Sequence, residues 1–218
     1  MPVLYSADLS PYAARVRLAV YWKGLENRVA FDAPPGGLKS EDYLKINPLG
    51  KIPAMKLDSG FCLPESELIV EYLEDAYPVR PLRPAGAENA ARARLAARIA
   101  DLYLAPGLAP LFLNADPSKR DDAAVDEGFA TVAKALDDIE TFLDPTGPWA
   151  VGTQPSTADC ALAPVFWFIA WADAWYGRET LDGRAACARV FAKAQSDEAG
   201  ARVFEELDRG LKARFATQ

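Results

Sequence analysis

Three prolines fall within seven residues, Pro78, Pro81 and Pro84, and the chain changes character across them. Proline fixes φ and removes a backbone donor, so such a cluster ends one element and delays the next. Ahead of it, short apolar runs alternate with helical patterns. Val3-Leu4-Tyr5-Ser6 reads as a buried strand. Ser10-Pro11 opens a helix, because serine is a favoured N-cap and proline suits the first turn; the helix is predicted over 11–23, stopped by Gly24. Val29 and Phe31 mark a second strand, Ala33-Pro34-Pro35-Gly36-Gly37 a loop, and 41–46 a short helix. Ala54-Met55-Lys56-Leu57 alternates as a strand, Asp58-Ser59-Gly60 turns the chain, and Phe61-Cys62-Leu63 returns it. After Glu65, Leu68, Ile69, Tyr72 and Leu73 share one helical face that ends near Tyr77-Pro78. Beyond the prolines every pattern is helical, over 87–114, 123–143, 156–171, 183–195 and 197–215. Pro106-Gly107 is expected to kink the first of these. The predicted organisation is therefore an α/β domain over 1–78, a linker over 79–85 and an all-α domain over 86–218.

Several chemistries are excluded by what the chain lacks. It has no histidine, which removes a histidine general base, a Ser-His-Asp triad and any histidine-ligated metal. Cys62, Cys160 and Cys187 are odd in number and far apart. They read as buried reduced thiols in a cytoplasmic protein, not as a disulfide framework or a metal site. No run approaches the roughly 20 apolar residues that cross a bilayer, and the first residues lack the basic-then-apolar pattern of a signal peptide. A net charge of −7 opposes nonspecific binding to nucleic acid or anionic membrane. With half of its 218 residues hydrophobic, the chain can bury a core in one or two domains.

The chemistry-bearing signal is Pro64-Glu65-Ser66 at the junction of a strand and a helix. A helix N-terminus offers free N–H groups and partial positive charge. Glu65 adds an anionic acceptor and Ser66 a hydroxyl, so the junction suits both ends of a small zwitterion. It belongs to an ordered series: Leu4-Tyr5-Ser6, then Ser10-Pro11-Tyr12-Ala13-Ala14-Arg15-Val16-Arg17, then Asn47-Pro48-Leu49-Gly50-Lys51-Ile52-Pro53, then Pro64-Glu65-Ser66, and at last Ser156-Thr157-Ala158-Asp159. In this order and spacing the chain resembles the glutathione S-transferases, with the first stretch closest to the zeta class and related serine-type members. The resemblance implies a thioredoxin-like N-terminal domain followed by an all-helical domain, glutathione as co-substrate, a hydrophobic electrophile and a homodimer.

Residue by residue, the resemblance places the thiol-activating serine on Ser10, which local sequence alone reads as a helix cap. Zeta enzymes carry Ser-Ser-Cys where this chain has Ser10-Pro11-Tyr12, a departure that weakens a zeta-type isomerase and makes Tyr12 a second candidate for activating the thiol. Ile52, ahead of a proline that is cis in the family, is implied to pair its backbone with the cysteinyl part of glutathione, as an added strand would. Glu65 and Ser66 match the residues for the γ-glutamyl end. Lys51 and Lys39 suit the carboxylates of the tripeptide, although Lys39 reads equally well as a solvated surface lysine. Leu9, Tyr12, Leu104, Leu108, Leu111 and Phe112 are the candidate walls for the electrophile, with Trp167 or Trp171 beside them, and aromatics at helical spacing also read as core. Ser156 and Asp159 form a capping box that serves folding. Across the dimer, Arg92, Arg94 and Arg98 are candidates to pair with Glu71, Glu74 or Asp75. The leading function is transfer of glutathione to an electrophile. The alternatives are a glutathione-dependent isomerase, dehalogenase or ether-cleaving lyase, or a binding protein without activity.

Overall fold

The computed structural model describes residues 1–216, which divide into two units. One takes in Met1–Leu82 and the chain from Asp197 onward, and the other is Arg83–Ser196.

In the first unit, β1 (Val3–Tyr5), α1 (Pro11–Lys23), β2 (Ala30–Asp32), α2 (Glu41–Ile46), β3 (Ala54–Lys56), β4 (Cys62–Pro64) and α3 (Ser66–Ala76) follow one another in the predicted order. Among the described residues the strands form one sheet, ordered β2-β1-β3-β4, with β1 parallel to β2 and both β1–β3 and β3–β4 antiparallel. This is the thioredoxin-like arrangement. Its register matters for function. Tyr5 stands opposite Ala54, and Ala54 opposite Pro64. The residues leaving β1, entering β3 and leaving β4 are therefore gathered at one end of the sheet.

α1 lies at the centre of this unit. Ser10 caps its start, Pro11 occupies its first turn, and Gly24 closes it in the left-handed region at φ 67°. Every residue from Ala13 to Tyr21 is buried, Arg15 and Arg17 included. Lys23, also buried, forms an ion pair with Glu74 of α3 at 2.6 Å. Glu74 in turn accepts the Leu82 N–H, and Lys23 donates to the Arg80 carbonyl. Those bonds fasten the linker to the first unit, which is why the division falls after Leu82, inside the predicted linker. They also remove Glu74 from the dimer pairs expected above, because its carboxylate is occupied within its own chain. Arg92 likewise pairs with Glu88 one turn earlier on its own helix.

The final helix, over Glu198–Ala216, departs from the predicted domain division. It groups with the first unit instead of with the helices that precede it. The reason is local: Val203, Phe204 and Leu207 are buried on the face that packs against α1. Asp197 caps the helix start by accepting from the Ala199 and Gly200 N–H groups, and accepts from the Trp22 indole at 2.7 Å as well.

The second unit contains α4 (Ala87–Ile99), a π-helical turn (Ala100–Leu104), α5 (Ala105–Leu113), α6 (Asp122–Glu140), α7 (Thr157–Tyr176) and α8 (Ala185–Ser196); α9 spans Glu198–Ala216. By length and composition the run Ala87–Leu113 passes for a membrane span, contrary to the sequence reading that no such run exists. Its Ala93, Ala96, Ala97, Leu104 and Leu111 are buried on one face, while Leu95, Leu102, Tyr103 and Leu113 are exposed. The single long helix expected over 87–114 is interrupted by the π turn just ahead of Pro106. Gly107 serves packing: a Cβ there would lie 2.8 Å from a Val132 methyl, and one on Gly128 would lie 2.9 Å from the Gly107 carbonyl oxygen. Two glycines thus let α5 and α6 touch backbone to backbone. Gly128→Ala is expected to cost about 1–2 kcal/mol despite its better helix propensity, read as a lower urea midpoint. Of the cysteines, Cys160 and Cys187 are buried but Cys62 is only half-buried. Burial and the Glu140 carboxylate push the Cys187 thiol well up, so it stays protonated and inert.

Candidate functional site

Ser10 sits where a short extended stretch enters α1. Its backbone is extended (φ −146°, ψ 117°), and its Oγ accepts the Ala13 N–H at 3.2 Å. The residue is 9% exposed. Because the oxygen is already accepting, the hydroxyl hydrogen is the part left for another group. Any anion drawing on it also meets the positive end of α1. Tyr12 stands in the same first turn and is exposed, with the Arg15 guanidinium 5.9 Å from its ring centroid. Tyr5 is core, stacked edge-on against Tyr43 at 5.6 Å, and burial holds its hydroxyl above the ordinary range.

Glu65 caps α3 with a backbone φ of 69°, a left-handed conformation that a non-glycine residue adopts at a cost. Its side chain makes no capping bond and is exposed. The next residue, Ser66, is 5% exposed in the first turn of α3. One residue further, Glu67 takes an ion pair at 3.3 Å from Arg15 of α1. That contact ties α1 to the first turn of α3.

The Ile52–Pro53 bond is cis, as the resemblance implies. Ile52 is half-buried just ahead of β3, at the sheet end already described. The loop before it is braced from below: Tyr43 Oη and Asn47 Nδ2 both donate to the Lys51 carbonyl, at 2.6 and 2.8 Å, and Asn47 Oδ1 accepts the Leu49 N–H. Sequence reasoning missed Tyr43 and Asn47 as supports. A buried asparagine ahead of Pro-Leu-Gly was the available signal, since its amide has to be satisfied. Gly50 (φ 59°) carries no Cβ, and one built there would lie 3.3 Å from Lys39 Nζ. The ammonium of Lys39 therefore rests beside Gly50, one residue before Lys51, and both lysines are exposed. The first unit thus brings Ser10, Tyr12, Ile52, Pro53, Glu65 and Ser66 to one end of its sheet, with Lys51 on the loop leading into β3 and Lys39 on the loop ahead of α2.

The expected apolar walls fare differently. Leu9 is half-buried in the first unit. In the second unit Leu104 is 0% and Leu111 1% exposed. Both are core and offer no surface to a ligand, because the apolar spacing that suggested them is the spacing of the packing face that runs through the π turn and α5. Leu108 is buried too, as is Trp167. Phe112 is half-buried against Phe168 and Trp171, with ring centroids 6.3 and 5.6 Å away.

Two family models match this chain: the glutathione S-transferase N-terminal domain over residues 4–84 and the glutathione S-transferase C-terminal domain over 122–193. A maleylacetoacetate isomerase of Rattus norvegicus is 32% identical over 168 residues, covering 75% of this chain and 76% of its own. A glutathione S-transferase of Triticum aestivum is 31% identical over 171 residues, covering 75% of this chain and 76% of its own. The crystal structure of a maleylacetoacetate isomerase from Methylobacterium extorquens AM1, with malonate and GSH bound, shares the fold at a TM-score of 0.77. It is 24% identical and covers 94% of this chain and 97% of that one.

Proposed function

We infer that this chain, which belongs to the glutathione S-transferase family, is an enzyme that ionises the thiol of bound glutathione and directs the thiolate at a hydrophobic electrophile. The observation that carries the reading is Ser10: a buried hydroxyl at the start of α1 whose oxygen is already accepting from Ala13. It donates its hydrogen to the sulfur, and the helix terminus adds a second stabilisation of the anion. Both favour the thiolate, the nucleophilic form of a group whose free pKa is about 8.5. The thiol proton leaves to solvent. Sulfur then bonds to the electrophilic carbon, and the leaving group departs with its electron pair or, in an addition, the carbon takes up a proton. No residue of the chain is covalently modified, and the protein supplies thiolate stabilisation and proximity.

The remaining roles follow the shape of the tripeptide. Ile52 pairs its backbone with the cysteinyl unit. Glu65 receives the γ-glutamyl ammonium, and Ser66 with the start of α3 receives the adjoining carboxylate. Lys51 and Lys39 meet the glycyl carboxylate, and Leu9 and Tyr12 supply apolar surface to the electrophile. Assembly as a homodimer and a cytoplasmic setting complete the reading. A second reading, glutathione-dependent cis–trans isomerisation, is favoured by the names of the relatives above. In it the thiolate adds to a double bond and leaves again after rotation, so that glutathione is regenerated.

The test is to titrate glutathione into the protein and follow its ultraviolet thiolate band across pH. The bound thiol is expected to ionise at least about one pH unit below the free one. Binding without that displacement would refute thiol activation. With an electron-poor cis-alkene as second substrate, loss of free thiol marks transfer, and isomerised product with thiol conserved marks the second reading.

A further inference from the structure

We propose that the C-terminal helix α9 is a working part of the thiol-activating site, with Arg17, Glu206 and Gly210 as positioning residues that fix the Ser6–Leu9 loop and so set where Ser10 presents its hydroxyl. The inference rests on the role given to Ser10 above.

Arg17 spends its whole guanidinium on this loop and on α9. Nη1 donates to Ser6 Oγ and to the Ala7 carbonyl, both at 2.8 Å, and Nη2 donates to the Asp8 carbonyl at 3.0 Å. Nε donates to Glu206 Oε2 at 2.6 Å. Three consecutive residues leading into Ser10 are thus clamped by one planar group, a geometry that an ammonium cannot reproduce. Arg17 is 3% exposed, and a buried guanidinium needs a charged partner. Glu206, on the buried face of α9, is that partner. Its other oxygen accepts the Tyr21 hydroxyl at 2.6 Å, and burial together with this carboxylate pushes Tyr21 well up, so Tyr21 remains a donor. Arg202, one turn earlier on α9, lies 3.8 Å over the Tyr21 ring and 3.8 Å from the same carboxylate. The Glu206 carboxylate is held from three sides and has one orientation to offer Arg17.

Further along α9 the helix touches the loop directly. A Cβ on Gly210 would lie 2.6 Å from the Leu9 backbone nitrogen and 2.9 Å from the Asp8 and Leu9 Cβ atoms. Arg209 pairs with the Asp8 carboxylate at 2.8 Å. The Asp8 carbonyl in turn accepts the Ser10 N–H at 3.0 Å, so any shift of Asp8 is handed to Ser10. The sequence held a signal for half of this: a helix buried on all sides that carries two arginines demands acidic partners from elsewhere in the chain.

Two variants separate positioning from mere stability. Arg17→Lys keeps a cation beside Glu206 but loses the fork on Ser6, Ala7 and Asp8. Gly210→Ala raises helix propensity while its methyl displaces Leu9. In each, the ionisation of bound glutathione is expected to move upward by about half a unit or more and kcat to fall roughly 5- to 20-fold, with KM for glutathione within about threefold, because small misplacements at a reacting centre act on the chemical step. Gly210→Ala, whose Cβ meets backbone, is expected to melt lower than the wild type, so ionisation and turnover are compared at a temperature where circular dichroism shows both variants folded. Hydrogen exchange of the Leu9, Ser10 and Tyr12 amides, measured without glutathione, should quicken in both. Folded variants with wild-type amide protection and wild-type thiol ionisation would overturn the proposal. A wild type that leaves the bound thiol at its free value removes the role of Ser10, and this proposal with it. Quickened exchange with unaltered ionisation would show a clamp without consequence for the site, and would overturn the proposal alone.

Discussion

Replacing Ser10 with alanine is expected to cut kcat roughly 10- to 100-fold, the worth of one hydrogen bond to a charged sulfur in a buried site. The ionisation of bound glutathione should return most of the way to that of the free thiol. KM for glutathione should change little, since the variant leaves the contacts proposed for Ile52, Glu65-Ser66 and the lysines intact. A smaller cost in stability accompanies this. The Ala13 N–H loses the acceptor it has at 3.2 Å, and the loss of such a cap is worth about 1 kcal/mol. The two effects are read separately, one in the thiolate band and one in thermal melting. Tyr12→Phe settles which hydroxyl activates the thiol. It should leave turnover within about threefold if Ser10 is the donor. A Tyr12→Phe loss matching or exceeding that of Ser10→Ala would transfer the role to Tyr12.

How far the sequence reached depended on the range of the interaction involved. Ser10, Pro11 and Gly24 bound α1 correctly because caps and proline act within one turn. The junction at Glu65 and Ser66 was placed because a strand-to-helix boundary is also local. The close crossing at Gly107 and Gly128 was not legible: a glycine next to a proline reads as a kink until the helix it touches is known. Leu104 and Leu111 were misread for a related reason. Apolar spacing identifies the face of a helix that meets something, and only the fold shows that the neighbour is another helix. The attachment of α9 to the first unit depends on bonds spanning most of the chain, Arg17 to Glu206 and Tyr21 to Glu206, and no window of sequence contains both ends.

The largest expected loss of stability lies at Asp159. This residue has no exposed surface and holds three donors: the Ala150 N–H at 2.8 Å, the Ser156 N–H at 2.8 Å and the Ser156 hydroxyl at 2.7 Å. It closes the capping box of α7, a helix whose residues from Thr157 to Ile169 are all buried. Asp159→Ala orphans all three donors at about 1–3 kcal/mol each, partly relieved by relaxation, for a net of about 4 kcal/mol. In a chain of this length that lowers the melting temperature by roughly 8–16 °C. Asp159→Asn keeps the shape but turns an amide N–H₂ toward donors, and should fall between the two. The loss also depends on pH. Burial raises Asp159 from its ordinary 3.8 to about 6. A carboxyl raised on folding binds its proton more tightly in the native state, so its contribution is fully present below about pH 3.8 and is lost as pH rises through about 6. The protonated form remains bonded because the Ser156 hydroxyl can turn to accept. The gap between wild type and Asp159→Ala in urea unfolding should therefore be wider at pH 5 than at pH 7.5. A gap that narrows on acidification would mean that the ionised carboxylate, stabilised by its three donors, is the form the fold prefers.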